Sequence, residues 1–218
     1  MPAVKIISRV QALVLCAGLF LQTAHGEGLK AGVAGTNASP IATQLEPESV
    51  PGFQSVTRVV TSAGTNKFAF FAPRNFRIDA SNPRKISLTS PDDMTFITVQ
   101  MLPAFAKQTG TQKKKSLREN CRELLRAEHP GGKILSEFTR TAGDCSGPAF
   151  DLQWQVPAGG LQAARVAFIP TVAGLLEFKL STKPDRFHAA TYKFNNVLLS
   201  FRVSKNGKLE VVRLSNKL

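Results

Sequence analysis

The chain has 218 residues and a formal charge of +13, from 28 lysines and arginines against 15 aspartates and glutamates. A balance so basic sets cationic partners aside and favours anionic ones. The length leaves room for one domain, and no internal repeat divides it.

Residues 1–26 read as a signal peptide. Lys5 and Arg9 give a basic start, Val10 to Leu21 is apolar, and Ala24-His25-Gly26 offers small residues two apart for a signal peptidase. The apolar run is shorter than the roughly 20 residues that span a bilayer. Cys16 lies inside it behind Leu15, where an acylation motif would carry Gly or Ala. Cleavage near Gly26 removes Lys5 and Arg9 and takes the charge from +13 to +11. For an exported chain, periplasmic or extracellular, the expected partner is a protein or an anionic envelope surface of lipid head groups or acidic glycans, and not nucleic acid. Residues 27–55 carry Gly, Ala, Thr, Ser and Pro without period and read as a flexible leader. Residues 56–203 read as the domain, and 204–218 as a basic tail that is either an added edge strand or disordered. Roughly 160 residues suffice to bury about 70% of the unfolded surface.

Val56 to Val60 forms a short strand pattern. Lys67 to Pro73 and Phe76 to Ile78 make a broken strand in which Phe68, Phe70, Phe71 and Phe76 supply core. Lys85 to Thr89 and Thr95 to Leu102 are strands joined as a hairpin by Ser90-Pro91-Asp92-Asp93. Ser116-Leu117-Arg118-Glu119 opens a helix with a capping box, and Leu117, Cys121, Leu124, Leu125 and Glu128 share a face; His129-Pro130-Gly131-Gly132 stops it. Strands follow from Lys133 to Thr141 and from Phe150 to Val156, then from Ala163 to Ile169 and Leu175 to Leu180, the last with Leu176, Phe178 and Leu180 on one face. Thr182 is expected to cap a second helix, with Asp185 returning the bond and Pro184 in the first turn. Its apolar stripe is Phe187, Ala190, Phe194, Val197, Leu198 and Phe201. Short hairpins with only two inserted helices predict an α+β fold, an antiparallel sheet of about six or seven strands with the two helices packed on it.

Four stretches carry a family resemblance: F-A-F-F-A-P-R-N-F-R-I from Phe68, S-L-T-S-P-D-D-M-T-F-I-T-V from Ser87, L-L-E-F-K-L-S-T from Leu175, and T-Y-K-F-N-N-V-L-L-S-F-R from Thr191. Together they resemble the PsbP-like family over about residues 66 to 203. The resemblance implies an α/β/α sandwich, also found in a nuclear import factor that binds a small GTPase and in DcrB-type bacterial envelope proteins. It further implies a binding or assembly role in place of catalysis. The chain departs from the family in lacking a Gly-Trp pair where Asn75-Phe76 stands, and its mature histidines are only His129 and His188, so no metal site is carried over.

Gly143-Asp144-Cys145-Ser146-Gly147-Pro148 looks like the nucleophile loop of a chymotrypsin-like protease, but a base and an orienting acid are missing: the one mature histidine upstream is His129, at a helix end. Asp92 and Asp93 read as turn residues, since neighbours in a tight turn point apart and no further ligand is near. Trp154 alternates with Leu152 and Val156 and reads as core; His188 reads as a solvated histidine. No residue set suggests a catalytic site, a cofactor or a metal. Cys121 and Cys145, the two cysteines left in an oxidising compartment, are expected to form a disulfide.

Lys113, Lys114 and Lys115 precede the first helix, and Arg118, Arg122 and Arg126 stack along one edge of it. This ridge reads either as a binding surface or as a solvated face, with Glu119 and Glu123 placed to neutralise Arg122 and Arg126. The lysines lie at the positive end of the helix dipole, where helix stability does not explain them. The chain is therefore expected to be a non-catalytic binding or assembly module of the cell envelope; the alternative is a hydrolase or transferase whose site is assembled from scattered residues. Export has a direct check: the intact mass of the secreted protein should correspond to a chain starting close to Glu27, and a retained Met1 or a lipid on Cys16 would reject the signal peptide.

Overall fold

The computed structural model describes residues 42–48, 55–63, 66–102, 115–157, 159–171 and 174–204. Three consecutive strands, β1 (Ala42–Glu48), β2 (Val56–Ala63) and β3 (Asn66–Phe71), form a small antiparallel sheet that the short β11 (Arg202–Val203) closes on the β3 side. The larger sheet contains β4 (Arg77–Asn82), β5 (Lys85–Thr89), β6 (Thr95–Leu102), β7 (Lys133–Ala142), β8 (Cys145–Gln155), β9 (Leu161–Thr171) and β10 (Gly174–Thr182). Its seven strands run in the order β4-β5-β6-β10-β9-β8-β7, every pair antiparallel. Helix α1 (Leu117–Glu128) connects β6 to β7, and α2 (Phe187–Ser200) follows β10 after a 3-10 turn, Pro184–Arg186.

Alternation along the central strands puts the helices on opposite faces. Leu176, Phe178 and Leu180 of β10 and Ala167 and Ile169 of β9 share a core with Ala190, Phe194, Val197 and Leu198 of α2, and with Phe68 and Phe70 of the small sheet. The intervening positions, Leu175 of β10 and Ala164, Val166 and Phe168 of β9, pack with Cys121 and Leu125 of α1. The result is the expected antiparallel α/β/α sandwich with two packed helices, and with a second, four-stranded sheet that local patterning did not predict. β1 falls inside the stretch read as a leader. Its residues are mostly exposed, and its strand state follows from pairing with β2, Ala42 opposite Ser62 through Glu48 opposite Val56. The expected C-terminal tail lies outside the described residues beyond Ser204.

α1 begins as its sequence predicts. The Ser116 hydroxyl accepts from the Glu119 amide at 3.2 Å, and the Glu119 carboxylate accepts from the Ser116 amide at 2.7 Å. Thr182 does not cap the second helix. It is the last residue of β10, fully buried, and its hydroxyl donates to the Met94 carbonyl at 2.9 Å and lies 3.2 Å from the Thr95 hydroxyl. These long-range bonds commit the hydroxyl, and the 3-10 turn starts without a side-chain cap.

The expected Cys121–Cys145 disulfide is absent. Cys121 is buried in the α1-side core, whereas Cys145, the first residue of β8, packs against the α2-side core, so the sheet stands between the two sulfurs. Loop length allows the bridge; strand parity forbids it.

One residue is inserted in β7. Ile134 pairs with Leu152 and Ser136 with Asp151, leaving Leu135 as a bulge that is 49% exposed. Downstream of it the faces exchange: Ile134 packs on the α1 side and Phe138 on the α2 side, though both positions are even.

Gly147, in the part of β8 whose sequence resembles a nucleophile loop, has a packing role. A Cβ built there would lie 1.8 Å from the Phe168 carbonyl oxygen of β9. Gly147→Ala should therefore destabilise the fold by about 3 kcal/mol, the upper end of overpacking penalties, whereas Gly159→Ala, strained only by its positive φ of 86°, should cost about 1 kcal/mol. Urea unfolding of the two variants checks the contrast.

Candidate functional site

The reactive-looking residues are dispersed. Cys145 belongs to the α2 side, and His129 lies at the end of α1 on the opposite face, so they form no nucleophile–base pair. Asp92 and Asp93 act as turn residues. Asp92 accepts from the Ser90 hydroxyl at 2.6 Å and the Met94 amide at 3.2 Å and pairs with Arg186; Asp93, at φ 54°, pairs with Arg77. Ser90's hydrogen bond, ahead of the other contacts, holds the Asp92 carboxyl down at about 2. Among the described residues no three His, Cys, Asp or Glu side chains converge to hold a metal ion.

The polar groups that do converge sit on the α1 face, beside the last turn of α1. Glu177 is central to them. β10 pairs Glu177 with Gln100 of β6, and Gln100 pairs in turn with Lys85 of β5, which places the three side chains in one cross-strand row. Glu177 is 1% exposed; one carboxylate oxygen accepts from Gln100 Nε2 at 3.1 Å, and the other, Oε2, has no partner among the described residues. Burial first, and then the Glu128 carboxylate, raise its pKa to about 7, against the opposing pull of Lys179, Gln100 and Lys85. Burial, with Glu177 adding to it, likewise pushes the Cys121 thiol up to about 12, so that thiol is inert at neutral pH.

Lys179, two residues along β10, ties this row to α1. Its ammonium is 2.9 Å from His129 Nε2 and 3.5 Å from Glu128, and lies 5.9 Å from the Trp154 ring centre. An ammonium only donates, so Nε2 is the acceptor and the imidazole proton sits on Nδ1. Burial and the neighbouring Lys179 hold the histidine below its usual range, so its 3.9 Å approach to Glu128 is not an ion pair at neutral pH. The imidazole stacks on Trp154 with centres 4.0 Å apart. Trp154 thus packs on the α1-side core as expected, and also anchors the helix end. His188 is exposed, as its position predicts.

The basic ridge is mostly engaged by the fold. Lys113 and Lys114 lie outside the described residues. Lys115 Nζ binds both Glu123 carboxylate oxygens, at 2.6 and 2.7 Å. Arg118 donates to the Phe138 carbonyl and the Thr139 hydroxyl of β7, each at 3.1 Å. Arg122 makes a two-pronged pair with Glu137 at 2.8 and 2.7 Å. Only Arg126, of the ridge residues described, is exposed and makes no ion pair among the described residues. Two arginines of the ridge therefore fasten α1 to β7. The Glu177 row was open to inference from sequence: with Leu176, Phe178 and Leu180 on one face of β10, Glu177 and Lys179 had to lie on the other.

No protein-family model matches the chain, and no curated protein matches it. Among solved structures the chain is similar to cyanobacterial PsbP (CyanoP) from Synechocystis sp., at 15% identity and a TM-score of 0.45, covering 83% of this chain and 99% of that one. It is also similar to LpqN, involved in cell envelope biogenesis of Mycobacterium tuberculosis, at 12% identity and a TM-score of 0.44, covering 76% and 92%. The likeness is distant and is not a specific match.

Glu177 makes stability depend on pH. Below its ordinary pKa of 4.5 the group is protonated in both the folded and unfolded chain. As pH rises, the unfolded chain releases the proton first, while the folded chain must hold it or bury a charge. Stability from this group is therefore lost between 4.5 and about 7 and stays low above. A shift of this size corresponds to about 3 kcal/mol. Glu177→Gln should gain on the wild type by up to that amount between pH 4 and pH 8 in urea unfolding; parallel pH profiles for the two proteins would remove Glu177 from the account.

Proposed function

We propose that the protein is an exported, non-catalytic binding module of the cell envelope that presents surplus positive charge to an anionic surface, after cleavage near Gly26. The observation that carries this reading is the uneven commitment of charge. Five ion pairs cancel acid against base one for one: Asp92 with Arg186, Asp93 with Arg77, Glu123 with Lys115, Glu137 with Arg122 and Asp151 with Arg165. Among the described residues Arg58, Arg74, Arg84, Arg126, Lys133, Lys183, Lys193 and Arg202 make no ion pair, against Glu46, Glu48, Asp79 and Asp185 of the acids, so the balance left over is cationic. Charge of one sign left at a surface steers and holds a partner of the other sign. Nothing comparable supports a hydrolase or transferase: Glu177, the one carboxyl among the described residues with a strongly raised pKa, is sealed from solvent, and the thiol near it, Cys121, is held protonated by burial.

The engaged partners of Arg118 and Arg122 decide which residues to alter. Reversing those two would loosen α1 from β7, so the informative variant reverses Lys113, Lys114 and Arg126. The mature protein should sediment with phosphatidylglycerol vesicles at low salt and be released as salt rises. The triple reversal should weaken binding by tenfold or more, since each basic residue near such a surface contributes about 1 kcal/mol. Undiminished binding by the triple variant, or binding indifferent to salt, would reject the ridge as the contact.

A further inference from the structure

A half-open cavity of about 310 Å3 lies on the surface where the Ser90–Met94 turn meets the start of α2, lined by Ser90, Asp92, Thr95, Arg186, Ala189 and Lys193. Its volume is near the lower bound of about 300 Å3 for small-molecule sites. Small side chains on α2 leave the room: Ala189 and Ala190 stand where larger residues would fill it.

The hydrogen-bonding state of the lining selects the ligand. The hydroxyls are committed: Ser90 Oγ donates to Asp92 at 2.6 Å and accepts from the Thr95 amide at 2.9 Å, and Thr95 Oγ1 pairs with Thr182 Oγ1 at 3.2 Å. Asp92 is committed as well, to Ser90, to the Met94 amide and to one nitrogen of Arg186. That last bond fixes the guanidinium at the cavity wall and leaves its other nitrogens without a carboxylate among the described residues. Lys193 makes no ion pair there either; its ammonium lies 5.2 Å from the Phe76 ring centre, a contact that orients the side chain and leaves its charge available. The donors still vacant are all cationic, and two cations outweigh the one carboxylate. No hydroxyl proton in this cavity is left for a neutral acceptor, whereas a small oxyanion finds a guanidinium edge and an ammonium.

We propose that this cavity binds a phosphate-class oxyanion, with Arg186 and Lys193 taking its oxygens and Asp92 holding Arg186 in place. The proposal deepens the anionic-surface reading and rests on it, and adds to the ridge on α1 a second contact at the start of α2. The same chemistry is offered by free phosphate and by a lipid phosphate head group.

Amide spectra of the mature protein titrated with inorganic phosphate at low salt test it. Shifts should concentrate at Ser90, Thr95 and Ala189 to Lys193 and saturate. Lys193→Gln should weaken binding about tenfold, the loss of one charge-assisted contact. Ala189→Leu, a helix-compatible change at an exposed position that fills the cavity without altering charge, should abolish it. The variant reversed at Lys113, Lys114 and Arg126 should titrate like the wild type, so a failed ridge and a failed pocket give different results. In a second arm, phosphatidic acid vesicles that compete for the same resonances identify a lipid head group as the source; competition by the soluble anion alone identifies free phosphate. Shifts that are scattered, or that persist in both Lys193→Gln and Ala189→Leu, overturn the proposal.

Discussion

Strand β9 buries apolar side chains on both faces, and that double burial is the constraint on which the other elements depend. A strand with Ile169 on one side and Val166 and Phe168 on the other cannot be satisfied by one layer of helix. Each of these side chains contributes about 1.5–3 kcal/mol when fully buried, so both faces must be covered. α2 and the small sheet cover one; α1 covers the other across β8 and β9. Phe178 and Phe201 show the fit on the α2 side, their rings edge to face with centres 5.2 Å apart.

Polar groups then act as fasteners at the margins of these cores. On the α1 side Arg118 and Arg122 grip β7, an edge strand whose backbone would otherwise be open to pairing with another chain. On the α2 side Arg165 binds Asp151 through two hydrogen bonds, at 2.7 and 2.8 Å, and lies between the rings of Phe138 and Phe187, 5.1 and 5.5 Å from their centres. This links β7, β8, β9 and the start of α2 through one guanidinium. Arginine suits both places because its planar head forms directed pairs and stacks on aromatic rings at once.

Elements whose cause is local were legible in the sequence. The capping box of α1, the hairpin of β5 and β6 and the α2 stripe from Ala190 to Phe201 each follow from spacing within a few residues, and the structure bears them out. What was not legible depends on partners far along the chain. β1 exists because β2 pairs with it; Thr182 is held by Met94, 88 positions away. The cysteine pairing failed for the same reason, since which side of the sheet a residue faces is a property of register. In the site, Glu123 turned from Arg126 to Lys115, and Arg122 found Glu137, a partner 15 positions away that helix spacing alone does not reveal.

The bulge at Leu135 gives β7 a grammar of its own. Because every residue after it reads on the face opposite to the one its number suggests, Glu137 meets Arg122 and Phe138 enters the core. Pairing the full-length strand without the bulge would keep the same composition and hydropathy and reverse the meaning: the Glu137 carboxylate would point into the α2 layer and Phe138 toward α1. Deleting Leu135 itself would leave Ile134 opposite Leu152, Ser136 opposite Asp151 and every face unchanged, so at this position the sheet tolerates a shorter chain as well as a different side chain.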